Sequence, residues 1–193
     1  MRPSSVSGRP PRALAALVLS ACVAALGGCG TAGQSTAAPG AGQAPAEAAQ
    51  PAPTSTAEVE VLREGGTPAI VSAVTYKAEE SYDRVVVDLQ GEMPGYTVKW
   101  VNELIQDGSG KPLHEKGKAF LELTLSPANA HTEQGQAWAG GPVYASDLPN
   151  VTRIIRTSDF EGHVGIGLVL ARQAPFQVRE QTTPTRLVLD VAH

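Results

Sequence analysis

"DRVVVDL" (residues 83–89) and "TRLVLDV" (residues 185–191) write Arg, three aliphatics and Asp in the same order twice, about a hundred residues apart. On an extended strand, residues four apart share a face and lie about 13 Å from each other, so Arg and Asp of one copy cannot pair. Two copies lying antiparallel and centred on Val86 and Val188 put Arg84 opposite Asp190 and Asp88 opposite Arg186. A parallel register puts Arg against Arg, which is unfavourable. The intervening Val85, Val87 and Leu89, and Leu187, Leu189 and Val191, then form an apolar face. An aromatic-x-Val element accompanies each copy, "PGYTV" (94–98) and "PFQV" (175–178). The repeat therefore predicts an antiparallel pairing, or a pseudo-symmetric placement of the copies in two packed sheets. A solvated strand face that matches by chance is the plainer alternative. Exposed pairs of this kind contribute about 0–1 kcal/mol each, setting register more than stability.

The rest of the domain follows the same period. "AIVSAVTYK" (69–77), "GYTVKWV" (95–101), "AFLELTL" (119–125), "VTRIIRT" (151–157), "HVGIGLVLA" (163–171) and "PFQVRE" (175–180) alternate or run β-branched between Gly, Pro, Asn and Asp turns. "QDGSGKP" (106–112) reads as a turn or short loop. Helical signal is confined to "SPANAH" (126–131), where Ser126 as cap and Pro127 in the first position predict one turn. Many short strands with so little helix predict an all-β fold, a β-sandwich of short, mostly antiparallel strands.

Residues 1–57 have a different composition. Arg2, Arg9 and Arg12 precede the apolar run "ALAALVLSACVAALGG" (13–28), a basic region followed by a short hydrophobic one, as in a secretory signal. At about 16 residues the run is short for a membrane span. It ends in "LGGC" (26–29), which resembles a bacterial lipobox. That resemblance implies a signal peptide over 1–28, cleavage before Cys29 and a diacylglycerol thioether on its sulfur. The only other cysteine, Cys22, lies within the apolar run, so residues beyond Cys29 hold neither a disulfide nor a thiolate metal site. Residues 30–57 are nearly all Ala, Gly, Pro, Gln, Ser and Thr, and bury too little to offset chain entropy, which predicts a flexible, disordered tether. The expected organisation is signal peptide 1–28, lipidated Cys and linker 29–57, and a folded domain 58–193. The chain's formal net charge is −4. Three of its basic residues lie in the leader, so the domain is more acidic still, which disfavours a nucleic-acid partner.

"YDRVVVDLQGEMPGYTVKWV" (82–101), "FLELTLSPANAHTEQG" (120–135) with "WAGGPVYASDLPNVTRIIRTSDFEGHVGIGLVL" (138–170), and "PFQVREQTTPTRLVLDVAH" (175–193) resemble the AMIN-like domain of actinobacterial secreted lipoproteins. The resemblance implies a β-sandwich of two sheets in the cell envelope and a role in targeting to peptidoglycan. AMIN domains accompany amidase or secretin modules, and neither follows here.

No catalytic signature emerges from the residues. H-E-x-x-H, G-x-S-x-G and P-loop spacings are absent, and His114, His131, His163 and His193 lack metal-ligand spacing. "SDFEGH" (158–163) and "NAHTEQGQ" (129–136) gather Asp, Glu and His, but read as hydrated loops between strands. A glycan site needs an exposed ring with amides beside it. Trp100 alternates with Val98 and reads as core. Trp138, in the Gly-rich "GQAWAGGPVY" (135–144), reads as the exposed ring, with Tyr144, Gln134 and Gln136 as hydrogen-bonding neighbours. The reading at this point is a non-catalytic envelope lipoprotein without cofactor or metal. It is expected to be anchored by Cys29 at the outer face of the cytoplasmic membrane and to bind peptidoglycan. The alternative is an accessory subunit that holds another envelope protein; a hydrolase ranks last.

Overall fold

A computed structural model describes residues 50–63, 65–136, 138 and 143–193. Cys29, the signal segment and the linker up to residue 49 lie outside the described residues. The strands in chain order are β1 (Val59–Val61), β2 (Ala69–Ala78), β3 (Tyr82–Gln90), β4 (Gly95–Val101), β5 (Ile105–Gln106), β6 (Lys111–Pro112), β7 (Ala119–Ser126), β8 (Ala128–Asn129), β9 (Val143–Ala145), β10 (Val151–Phe160), β11 (His163–Leu170), β12 (Phe176–Thr182) and β13 (Thr185–Ala192). One sheet runs β1-β4-β7-β11-β10-β9 and the other β12-β13-β3-β2-β8, with β5 and β6 as a separate hairpin. Pairing is antiparallel except between β2 and β8. Between the sheets lie the alternating aliphatics that the sequence pattern marks: Val85, Val87 and Leu89 from β3, Leu187, Leu189 and Val191 from β13, and Leu121, Leu123 and Leu125 from β7. A Leu or Val taken fully out of water in this way contributes about 1.5–3 kcal/mol.

The two heptads are neighbours. β13 pairs with β3 so that Asp190 faces Arg84, Val188 faces Val86 and Arg186 faces Asp88. The two crossings differ in environment. Arg186 Nε donates to Asp88 Oδ1 at 2.5 Å with the Arg side chain 41% exposed. Arg84 is 6% exposed and Asp190 3%. There Arg84 Nε and Nη2 donate to the two Asp190 oxygens at 2.7 and 3.1 Å, and Arg179 Nη2 donates to Oδ2 at 2.7 Å. One crossing is thus a surface pair; the other is a buried, shared carboxylate.

Ordinary strand burial does not account for Arg84. Its Nη2 also donates to Gln50 Oε1 at 2.9 Å, from a segment whose composition resembles a linker. Pro53 is buried, Ser55 O accepts the Phe176 N–H at 2.7 Å, and Thr56 O accepts from Trp100 Nε1 at 3.1 Å. Residues 50–57 therefore form a strap from the outer face of the five-stranded sheet, past its edge strand β12, to β4 of the other sheet. Contacts with the domain begin before residue 58, where composition placed the boundary.

One expected element is replaced. Ser126–Asn129 forms no helical turn. Ala128–Asn129 pair with Ala69–Ile70, Pro127 O accepts the Ala69 N–H at 3.1 Å, and Ala128 is fully buried. Burial and strand pairing together outweigh a local cap, because a single helical turn is marginal on its own. A buried acid also joins the sheets. Asp83 Oδ2, fully inaccessible, accepts the backbone N–H groups of Asn150 and Val151, each at 2.7 Å, tying the start of β3 to the start of β10.

Candidate functional site

The outer face of the six-stranded sheet is built from the residues that alternate with its core. On β4 and β7, Thr97 and Thr124 are cross-strand neighbours, flanked by the Gly95–Ser126 pair. On β11 the outward positions are His163, Gly165 and Gly167. Leu104, before β5, fills the place that Gly167 leaves: a Cβ there would lie 2.6 Å from both Leu104 methyl carbons. Leu104 joins Ile155 and Val169 in a second, small core under the β5–β6 hairpin. The Asp107 N–H donates to Thr157 O at 3.0 Å, and Ser158 Oγ to Asp107 Oδ2 at 2.9 Å, fixing the hairpin against β10. "QDGSGKP" is thus the tip of a hairpin that roofs half of this face.

The uncovered half is a trough of about 350 Å³, lined by Leu62, Arg63, Gly95, Thr97, Thr124, Ser126 and His163. Its near wall follows β1, where the chain crosses β4 so closely that a Cβ on Gly95 would lie 2.9 Å from both Arg63 N and Ser126 O. Beyond the floor, Phe160 is the cross-strand partner of His163 and rests over Gly108 of the hairpin turn. The large hydrophobics that stay exposed among the described residues are Leu62 (77%), Ile105 (44%) and Phe160 (49%). Leu62 forms the near wall, Phe160 lies beside His163, and Ile105 belongs to the hairpin. Hydroxyls on the floor between an apolar side chain and an open ring can hold a polyol by hydrogen bonding and stacking.

One end of the trough is rigid. Arg63 Nη2 donates to both oxygens of Glu180 on β12 at 2.9 Å, and Arg63 Nη1 donates to Pro94 O at 2.9 Å. Tyr96 Oη donates to Glu180 Oε1 at 3.0 Å. Burial, and then this bond to a carboxylate, push the Tyr96 phenol up to about 12.

The ring expected to be exposed is buried. Trp138 is 3% exposed and belongs to the main core. Its N–H donates to Ala130 O at 3.1 Å, and the Arg156 guanidinium carbon lies 5.7 Å from its ring centroid. The reason is topological. β8 is an edge of one sheet and β9 an edge of the other, and Trp138, which lies between them in the chain, packs into the main core. Tyr144 is half-buried and packs edge-on against Tyr76, with centroids 6.0 Å apart; burial raises its phenol above the usual range. Gln134 and Gln136 are exposed on a turn where Gln136 O accepts the Thr132 N–H at 2.9 Å. Trp138 thus offers no free face for stacking. "NAHTEQGQ" and "SDFEGH" are joined: Asp159 accepts from the Ala130 N–H and meets His131 Nδ1, each at 2.8 Å. Sequence reasoning missed the trough residues. Gly165 and Gly167, alternate outward positions of β11, signal the close packing of Thr157 and Leu104 on the neighbouring, covered part of the face, not the trough itself.

Comparison with curated proteins and with solved structures finds no match in either set. A family model described as the AMIN-like domain matches residues 69–193, from the first residue of β2 to the C-terminus, and spans both sheets apart from β1. On that match the chain belongs to the AMIN-like domain family.

Proposed function

We propose that this protein is a non-catalytic envelope lipoprotein whose sandwich binds peptidoglycan glycan through the trough floored by Thr97 and Thr124. The observation that carries the reading is the family match over residues 69–193, because an AMIN-like domain points to a peptidoglycan-related envelope role. The lipobox-like "LGGC" supports export and attachment through Cys29 at the outer face of the cytoplasmic membrane. The hydroxyl floor, the apolar Leu62 and the open Phe160 ring support a sugar ligand. The domain is acidic, so binding to an anionic wall works through hydrogen bonds and stacking rather than bulk attraction. The test is retention on protein-free sacculi. The chain from Gly30 onward, which contains every described residue, is retained and is released by soluble glycan fragments. Failure to pellet with sacculi overturns the reading.

A second reading has its own observation. β12 is an edge strand whose Phe176 N–H already donates to Ser55 O of the N-terminal segment. A partner's strand could extend that edge, making the protein an accessory subunit of another envelope protein. Binding to membrane extracts but not to protein-free sacculi favours this reading over the first.

A further inference from the structure

Among the described residues, Lys116, Lys118 and Arg172 are exposed and carry no ion pair. They meet at one corner. The Lys118 N–H donates to Leu170 O at 2.8 Å, which sets Lys116–Lys118 beside Leu170–Arg172. Between these segments lies an open depression of about 560 Å³, lined by both lysines, Thr152 and Ala171. An adjoining depression adds His114 and Arg153 on the far side of Lys116. The acids there are Glu115, which Arg153 holds at 3.0 Å, and Asp147. Three of the cations without an ion pair among the described residues thus share this corner; Lys99 and Lys111 lie elsewhere.

The same end of the sandwich receives the N-terminal segment. The Ala171 N–H donates to Asn150 O at 2.8 Å and the Arg172 N–H to Asn150 Oδ1 at 3.0 Å. The Asn150 N–H donates in turn to Asp83, and the next residue, Arg84, holds Gln50, the first described residue. Twenty residues, 30–49, separate Gln50 from Cys29. They reach at most about 70 Å at full extension. A chain anchored at Cys29 therefore keeps this corner within that reach of the headgroup plane, where tethering raises the effective concentration of a weak contact.

We propose that the corner of Lys116, Lys118 and Arg172 docks on anionic phospholipid headgroups, setting the orientation of the sandwich on its own membrane. This rests on the lipid-anchored reading; the mass of the N-terminal peptide of chain made in its host tests that anchor separately. The docking test is sedimentation of the chain from Gly30 onward with phosphatidylglycerol vesicles and with phosphatidylcholine vesicles. Binding is expected to the first only, and to be lost at high salt. Each neutralised cation should weaken it about fivefold, so K116Q/K118Q/R172Q weakens it on the order of a hundredfold, while K99Q/K111Q removes two charges elsewhere with little effect. No binding to phosphatidylglycerol at low salt, or equal loss from both variants, overturns the proposal. So does retention on sacculi that depends on the same three residues without vesicle binding, which would mark the corner as a contact with a wall polyanion. Retention on sacculi that survives K116Q/K118Q/R172Q leaves the glycan reading standing whatever the vesicles show.

Discussion

Arg84→Met and Asp190→Leu, made singly and together, test how burial sets the value of the repeated heptad. Removing one partner of a buried ion pair costs about 3–5 kcal/mol, because the other charge stays behind without compensation. The surroundings grade the two single variants. When Arg84 is lost, Asp190 keeps Arg179 Nη2 at 2.7 Å, so the cost should lie near the lower bound, about 3 kcal/mol. When Asp190 is lost, the partners described for Arg84 include the neutral acceptors Tyr82 Oη and Gln50 Oε1 and the carboxylate Glu79 at 3.5 Å. That cost should be the larger, about 4–5 kcal/mol. The double variant strands neither of these two charges, leaves only the partly exposed Arg179 without its carboxylate, and replaces both side chains by apolar ones between Val86, Val188 and the strap. It should cost less than either single change, a non-additivity above about 3 kcal/mol. Arg186→Met and Asp88→Leu provide the control in the same register. That pair is partly exposed, so each single change should cost about 0–1 kcal/mol and the two should nearly add. The assay is urea unfolding with linear extrapolation of all six variants and the wild type. Costs below about 1 kcal/mol for both buried single variants, or simple additivity in the double, would refute the reasoning.

Asp83→Ala removes the acceptor of two buried backbone N–H groups and should cost about 3–5 kcal/mol in urea unfolding, at one to three per unmet donor plus the lost charge-assisted bonds. Gly167→Val drives a side chain into Leu104 and Thr157; we expect about 1–3 kcal/mol of destabilisation and greater protease sensitivity at residues 104–113. Folding raises the Tyr96 phenol to about 12 from an unfolded value near 10. Its contribution is therefore complete below pH 10 and is lost as pH rises from about 10 through 12. Unfolding free energy measured across that window should fall less steeply in Tyr96→Phe than in the wild type, and an identical slope would contradict the assignment.

The strand order of this domain was partly legible because its inner and outer residues alternate cleanly. "GYTVKWV" coincides with β4, and the charge order of the two heptads favours the register that β3 and β13 adopt. Features that depend on residues distant in sequence were not legible. Arg84 and Arg186 occupy the same place in the repeat, yet only Arg84 is covered, by Gln50 and its neighbours from a Pro- and Ala-rich segment with no strand period. Trp138 sits in a Gly-rich stretch without alternation, the usual mark of an exposed loop, yet its ring belongs to the main core. Ser126 and Pro127 carry a local helix-start signal that the pairing of Ala128 with Ala69 overrides. The trough depends on which outward positions the β5–β6 hairpin leaves uncovered, which no local pattern in β4 or β7 records.

The most direct test of the central claim is a two-dimensional amide NMR titration of the chain from Gly30 onward with soluble peptidoglycan fragments. If the outer face of the six-stranded sheet holds the glycan, shifts will cluster on Thr97, Thr124, Ser126, Phe160 and His163. Shifts confined to Gln134, Gln136 and Tyr144, or no saturable shift at all, would contradict it.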